Sequence, residues 1–250
     1  MDDEDVVEVV KRFPILDALT DRPRTAAQLA DRLSFSRSTV HRSTNRLADL
    51  GLLRKREDAF ELTSFGRVAT RSVAECRRDL DTASQLAPFL EAVETEVSFP
   101  VGPLSDASVT PCGRRRPHFA VKRVSDMLAD SDSLRMFSGI VSPVYVERCC
   151  EHATDGSSIR AVFDRQVVDI LFDDYASESK AACREGDLEV LIHDDCPFDL
   201  FVFDDRVAMT THRADGSQAP FVESADPDVY EWAEQLFESY VSQAEFATLF

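Results

Sequence analysis

The sequence predicts an α+β protein: an N-terminal winged helix-turn-helix, a helical linker and a C-terminal α/β mixed-sheet domain. Three observations predict it. Residues 24–62 run helix, turn, helix, glycine and basic hairpin in that order. From Val124 onward, strand-like and helix-like patterns alternate and end in a hairpin and a closing helix. Charge is segregated along the chain: residues 22–78 sum to +7, so with a net charge of −18 the remainder sums to −25. The expected boundaries are 1–78 for the winged helix, 79–100 for the linker and 101–250 for the effector or dimerisation domain.

Val6 to Leu19 reads as the first helix, with Pro14 bending or splitting it because proline has no N–H and crowds the preceding turn. Thr25 is placed to cap a short helix over Ala26 to Leu33, whose Leu29 and Leu33 share a face. Ser34-Phe35 is the turn, with Phe35 expected between the helices. Ser36 caps a second helix to about Leu50, and Gly51 ends it. Val40, Ser43, Thr44, Leu47 and Leu50 form its inward face. Arg37, Ser38, His41, Arg42 and Asn45 form the other, with Thr39 in the first turn.

That outer face has the chemistry of a recognition helix. An arginine bonds a guanine edge with two N–H groups, and an asparagine pairs with adenine in the same way. Hydroxyls at a helix N-terminus hold phosphate. The following strands carry Arg54, Lys55 and Arg56 toward a Glu57-Asp58 turn, a wing suited to the phosphate backbone but too acidic at its tip to enter the minor groove deeply. The other reading is a plain three-helix bundle with a polar outer helix. The order of signals favours the DNA-binding one. The expected DNA-binding set is therefore Thr25, Ser36, Arg37, Ser38, Thr39, His41, Arg42, Asn45, Arg54, Lys55 and Arg56, with Arg42 and Asn45 reading bases.

Thr63 caps a long helical pattern from Ser64 to about Val97, interrupted near Pro88. Ser98 to Pro117, with four prolines and two glycines, is the boundary region, and holds one short strand pattern at Ala107 to Thr110. Beyond it, Val124 to Ala129, Pro143 to Ala153, Gln166 to Arg184 and Asp228 to Ser242 read as helices. Leu134 to Ile140, Ile159 to Phe163 and Leu188 to Ile192 read as strands, and Leu200 to Phe203 with Val207 to Thr211 as a hairpin. Polar residues at the strand ends, Ser138, Asp164 and His193, together with the basic island Arg114, Arg115 and Arg116, are the candidate pocket for a small anionic effector. The alternatives are a solvated basic loop and a dimerisation platform without a ligand.

Composition excludes several classes. The N-terminus is acidic and no apolar run approaches the roughly 18 residues of a membrane span, so a cytoplasmic protein without a membrane partner is expected. Only Lys11, Lys55, Lys122 and Lys180 are lysines, against 46 acids. An acid-rich, lysine-poor surface suits a high-salt cytosol, where screening shrinks to about 3 Å at 1 M salt. A merely acidic protein is the alternative. The six cysteines show no metal-ligand spacing, so no metal is expected. They are idle thiols or, as a second functional reading, a redox sensor of the same regulator. No nucleophile elbow, phosphate loop or other catalytic motif appears, and Asp173-Asp174, Asp194-Asp195 and Asp204-Asp205 read as surface or turn residues. No catalytic residue and no cofactor are expected. An enzyme of the C-terminal domain is the remaining alternative.

At this point the residues resemble a family. The N-terminal third is similar to the winged-helix regulators of archaea. The second half, through FSGIVSP, YASESKAACREGDLEVLIHDD, CPFDLFVFDDRVAM and EWAEQLFESY, resembles the FilR-like effector domain of methanogenesis-regulator type, abundant in halophilic archaea. The resemblance implies a transcription factor on double-stranded DNA, usually a homodimer, with a sensory C-terminal domain for a small-molecule effector. Effector domains of related sugar-responsive archaeal regulators have a fold similar to phospholipase D. That chemistry needs HxKxxxxD, and no histidine here has a lysine two residues on.

Overall fold

A computed structural model of the 250-residue chain describes residues 1–93, 97–112, 118–175, 181–184, 186–212 and 219–247. The chain divides into two units, Met1–Leu80 and Asp81–Phe250.

The first unit begins with α1 (Asp3–Lys11) and α2 (Phe13–Asp17), split at Arg12 with Pro14 in the first turn of α2, where a missing N–H costs nothing. Next come β1 (Arg24–Thr25), α3 (Ala26–Leu33), α4 (Arg37–Asp49), β2 (Leu53–Arg56), β3 (Ala59–Leu62) and the long α5 (Ser64–Leu90). The antiparallel sheet has the order β1-β3-β2. Ile15, Leu16, Leu29, Val40, Leu47, Leu52 and Leu62 form the core. Arg24, the first residue of β1, is buried, and its guanidinium bonds the Ala18 carbonyl and the Asp21 carboxylate of the connection after α2. That contact holds the Asp21 carboxyl well below the usual carboxylate range.

Two expectations are corrected here. Phe35 is exposed, not buried between α3 and α4. Leu29, Val40 and Leu47 already fill that space, and Ser34, in the left-handed region at φ 55°, turns the chain outward. The helix after the wing stops at Leu90, with Pro88 in its last turn, short of the expected Val97.

The second unit is a mixed sheet of eight strands in the order β11-β7-β6-β5-β8-β9-β10-β4. The strands are β4 (Ser108–Thr110), β5 (Ser133–Ser138), β6 (Ser158–Asp164), β7 (Asp187–His193), β8 (Asp199–Val202), β9 (Val207–Thr210), β10 (Phe221–Ser224) and β11 (Glu245–Phe246). β5, β6 and β7 are parallel, and the remaining pairs are antiparallel. Helices α6 (Phe119–Ala129), α7 (Pro143–Thr154) and α8 (Arg165–Asp174) supply one face, and α9 (Pro227–Gln243) the other. The expected single helix Gln166–Arg184 ends early, at Asp174, with a second helical stretch at 181–184.

Both faces are buried, so the central strands alternate between two cores. Met136, Ala161, Val190 and Phe201 point to one, with Val124, Tyr145 and Leu171. Phe137, Val162, Leu191 and Leu200 point to the other, with Phe237 of α9 and Leu86 and Phe89 from the end of α5. Phe137 stacks on Tyr240 at 4.2 Å and meets Phe198 edge-on at 5.0 Å. The strands β10 and β11 were not foreseen: FVES and EF are too short to show a period.

Candidate nucleic-acid interface

The start of α4 is built by hydroxyls. Ser36 caps the helix by accepting from the Thr39 N–H at 3.1 Å, and its Oγ also lies 2.9 Å from Ser38 Oγ and 2.8 Å from Thr39 Oγ1. Thr25 does the same for α3 in a reciprocal box with Gln28. On α4, Val40, Ser43, Thr44 and Leu47 face inward, and Thr44 Oγ1 donates back to the Val40 carbonyl at 2.9 Å.

Arg37, Ser38, His41, Arg42 and Asn45 are exposed on the opposite side. Among the described residues, Arg37, His41, Arg42 and Asn45 make no side-chain hydrogen bond or ion pair. Their neighbour Arg46 differs. It bonds Asp5 of α1 at 2.8 Å and is withdrawn from the outer face. The sequence reading missed this pair because the two residues lie 41 positions apart.

The wing turns at Glu57, which has φ 55°, and Asp58. Arg54 lies opposite Glu61 in the register and its Nε donates to that carboxylate at 2.6 Å. The Arg54 charge is therefore shared within the hairpin. Lys55 and Arg56 are exposed with no ion pair among the described residues. At the base of the wing, Gly51 ends α4 with φ 75°. The Leu52 carbonyl accepts from the Thr63 N–H at 3.0 Å, and Gly66 in the first turn of α5 lies close against it. A Cβ at Gly66 would stand 2.0 Å from that oxygen.

In the second unit, Ser138, Asp164 and His193 end the three adjacent parallel strands, with Asp164 and His193 in register. Each already has work. Ser138 donates to Asp199 Oδ1 at 2.6 Å, Asp164 caps α8 through the Val167 N–H, and His193 Nδ1 accepts from the Asp195 N–H at 3.1 Å. Arg114, Arg115 and Arg116 lie outside the described residues.

The sequence reading missed Asp199. It is 2% exposed, and its Oδ2 has no hydrogen bond. His212 Nδ1 stands 3.7 Å away. Burial holds the Asp199 carboxyl up at about 7, against the bonds from Ser138 and the Gly139 N–H, and burial pushes His212 down. The visible signal was an aspartate inside the apolar run PFDLFVF. Burial also pushes the Cys149 and Cys196 thiols up to about 12 and raises Cys112 and Cys183, which suppresses the thiolate at those four positions, while Cys76 is exposed. No helix among the described residues is long and apolar enough to cross a membrane.

Comparison with known families and structures gives these findings. Residues 117–243 match the model of the methanogenesis regulatory protein FilR1, middle domain, and residues 1–85 match that of the HVO_A0261 N-terminal domain. No curated protein matches. Among solved structures, the chain is similar to TrmBL2, an archaeal chromatin protein described as showing a novel mode of DNA binding. The identity is 16% and the TM-score 0.47, over 98% of this chain and 100% of that one. It is also similar to Nuc of Salmonella typhimurium, a phospholipase D family member, at 12% identity and a TM-score of 0.45, over 57% of this chain and 99% of that one. NucT from Helicobacter pylori matches at 8% identity and a TM-score of 0.44, again over 57% of this chain and 99% of that one.

Proposed function

Because this chain belongs to the family of the FilR1 middle domain, and is thereby an archaeal transcriptional regulator with a winged helix at its N-terminus, we propose that it binds double-stranded DNA sequence-specifically, as a homodimer in a high-salt cytoplasm, under the control of its C-terminal domain. The observation that carries this reading is the outer face of α4. Arg37, His41, Arg42 and Asn45 stand exposed and unspent on one helix whose other face is fully packed. A surface helix normally pairs some of its charges along its own length. Here the one nearby arginine that is paired, Arg46, is paired with α1.

In this reading Arg42 and Asn45 read base edges in the major groove, with Arg37 and His41 beside them. Ser36, Ser38 and Thr39 at the start of α4, and Thr25 at the start of α3, sit at helix N-termini suited to phosphate. Lys55 and Arg56 make the stronger wing contacts, and Arg54, neutralised by Glu61, the weaker. Two copies about a twofold axis read half-sites about 34 Å apart. The test is fluorescence anisotropy on DNA from upstream of the protein's own gene in molar KCl, beside a scrambled duplex. Arg42→Ala is expected to cost about 1–3 kcal/mol and to relax specificity at one base pair. An equal loss on every sequence would make Arg42 a phosphate contact and remove it from base reading.

Control is assigned to the carboxyl ends of β5, β6 and β7, where Ser138, Asp164 and His193 converge, since ligands of open α/β sheets settle outside the carboxyl ends of the strands. The aspartates gathered there shift the expected effector away from a simple anion unless Arg114, Arg115 and Arg116 contribute. A metabolite panel read by melting temperature tests this, because a ligand selective for the native state must raise it. A flat panel leaves the domain as a dimerisation platform.

A further inference from the structure

The second sheet is apolar along the face that α6, α7 and α8 cover, except at one end. There Ser138 of β5, Asp199 of β8 and Thr210 of β9 are cross-strand neighbours, buried on that face with Met136, Phe201 and Ala208. Two of the three are satisfied within the domain. Ser138 Oγ donates to Asp199 Oδ1 at 2.6 Å, and Thr210 Oγ1 donates to the Ala219 carbonyl at 3.4 Å. Asp199 Oδ2 is sealed from solvent and has no hydrogen bond. His212 Nδ1, at 3.7 Å, stands beyond hydrogen-bond reach. A buried carboxylate with one oxygen unmet is a site that lacks its partner.

The surroundings specify that partner. Tyr145 of α7 stands over the same strand, meeting Phe201 edge-on at 5.6 Å, and its hydroxyl makes no hydrogen bond among the described residues. Burial and the Asp199 carboxylate push that hydroxyl up, so it stays protonated and its oxygen remains a free acceptor. Tyr145 also lines an apolar cavity between α7, α8 and the sheet, with Ile140, Phe163, Leu171 and Val190. Ile140 belongs to both places, because its N–H donates to Ser138 Oγ at 3.2 Å. The room in the cavity is about 30 Å³. One water-sized group needs roughly 10–15 Å³, so the cavity takes a tail of about two or three carbons. A carboxylate beside a neutral acceptor calls for a donor with positive charge, and no group of three metal-ligating side chains exists among the described residues. An ammonium needs only the acceptors that are present.

We propose that Asp199 anchors a binding site for a short primary alkylammonium ion, with the head group on Asp199 Oδ2 and the Tyr145 hydroxyl and the tail in the cavity. This rests on the reading that the second unit controls DNA binding, and names the chemistry it responds to. His212, whose side chain is 31% exposed, is the neighbour that moves aside to admit it. In calorimetric titration of the full-length protein at pH 8, where the Asp199 carboxyl is ionised, n-propylamine is expected to bind, and 1-propanol and propionate are not. Methylamine is expected to bind about tenfold more weakly, since it leaves the cavity unfilled. Asp199→Asn keeps the acceptor for Ser138 and is expected to fold but to weaken n-propylamine about tenfold or more, and Tyr145→Phe to weaken it about fivefold. Equal binding of n-propylamine and 1-propanol, or binding that survives Asp199→Asn, would overturn the site. So would the absence of binding by either amine at millimolar concentration. Propionate binding in place of the amine would overturn the ligand class and leave control by the second unit standing. Binding of n-propylamine through Asp199 with no change in DNA affinity would uphold the site and overturn the control.

Discussion

Asp199→Asn stabilises the second unit at pH 8 and leaves it nearly unchanged at pH 4. The wild-type carboxyl rises from 3.8 to about 7 on folding, because burial disfavours its charge more than Ser138 and the Gly139 N–H favour it. A carboxyl whose folded pKa is raised contributes fully while it is protonated in both states, below about pH 4. The contribution is lost as pH climbs through 7, and above that the folded state holds a charge that water would solvate better. About three pH units at about 1.4 kcal/mol each put the loss at up to about 4 kcal/mol. Asparagine keeps the acceptor for Ser138 and carries no charge. Urea unfolding of both proteins from pH 4.5 to 8.5 should give curves that diverge through pH 7. Parallel curves would mean that Asp199 keeps an ordinary pKa in the native state. Burial lowers His212, whose neutral form folds more readily, so its effect opposes that of Asp199 as pH falls below 6.5. The difference between the two proteins isolates the carboxyl.

Gly66→Ala is expected to cost about 3 kcal/mol or more in the first unit and to abolish specific DNA binding. The added Cβ meets the Leu52 carbonyl at 2.0 Å, and that oxygen is backbone, already held by the Thr63 N–H. Either the wing or the start of α5 must move. Gly51→Ala is the control. Open space surrounds Gly51, and only its φ of 75° is strained, so about 1 kcal/mol is expected. Thermal unfolding with anisotropy separates the cases. If Gly66→Ala melts like the wild type, the close contact is not a feature of the protein in solution.

The N-terminal unit was legible because its signals are local. Thr25, Ser36 and Gly51 sit at helix ends and act within three residues of themselves, and the hairpin register follows from a two-residue turn. What escaped was long-range. Arg46 finds Asp5, 41 positions away, which withdraws its charge from the outer face of α4. In the second unit the alternation of elements revealed the mixed sheet, and Ser138, Asp164 and His193 fall together because parallel strands end together. Asp199 stayed hidden, since only the fold brings its carboxylate 61 positions back to Ser138. Phe35 misled because an apolar residue in a turn suggests a plug, and that space had already been filled.

The two-sided sheet also constrains where the chain tolerates a change in length. Each residue of β5, β6 and β7 belongs to one core or the other by parity. One inserted codon inside β5 would send Phe137 toward Val124 and Met136 toward Tyr240, exchanging the contents of both cores at once. A change in strand length is therefore a defect of folding before it is a change of function. A residue added in a connection leaves that parity untouched, so the connections are where the chain can change length without exchanging its cores.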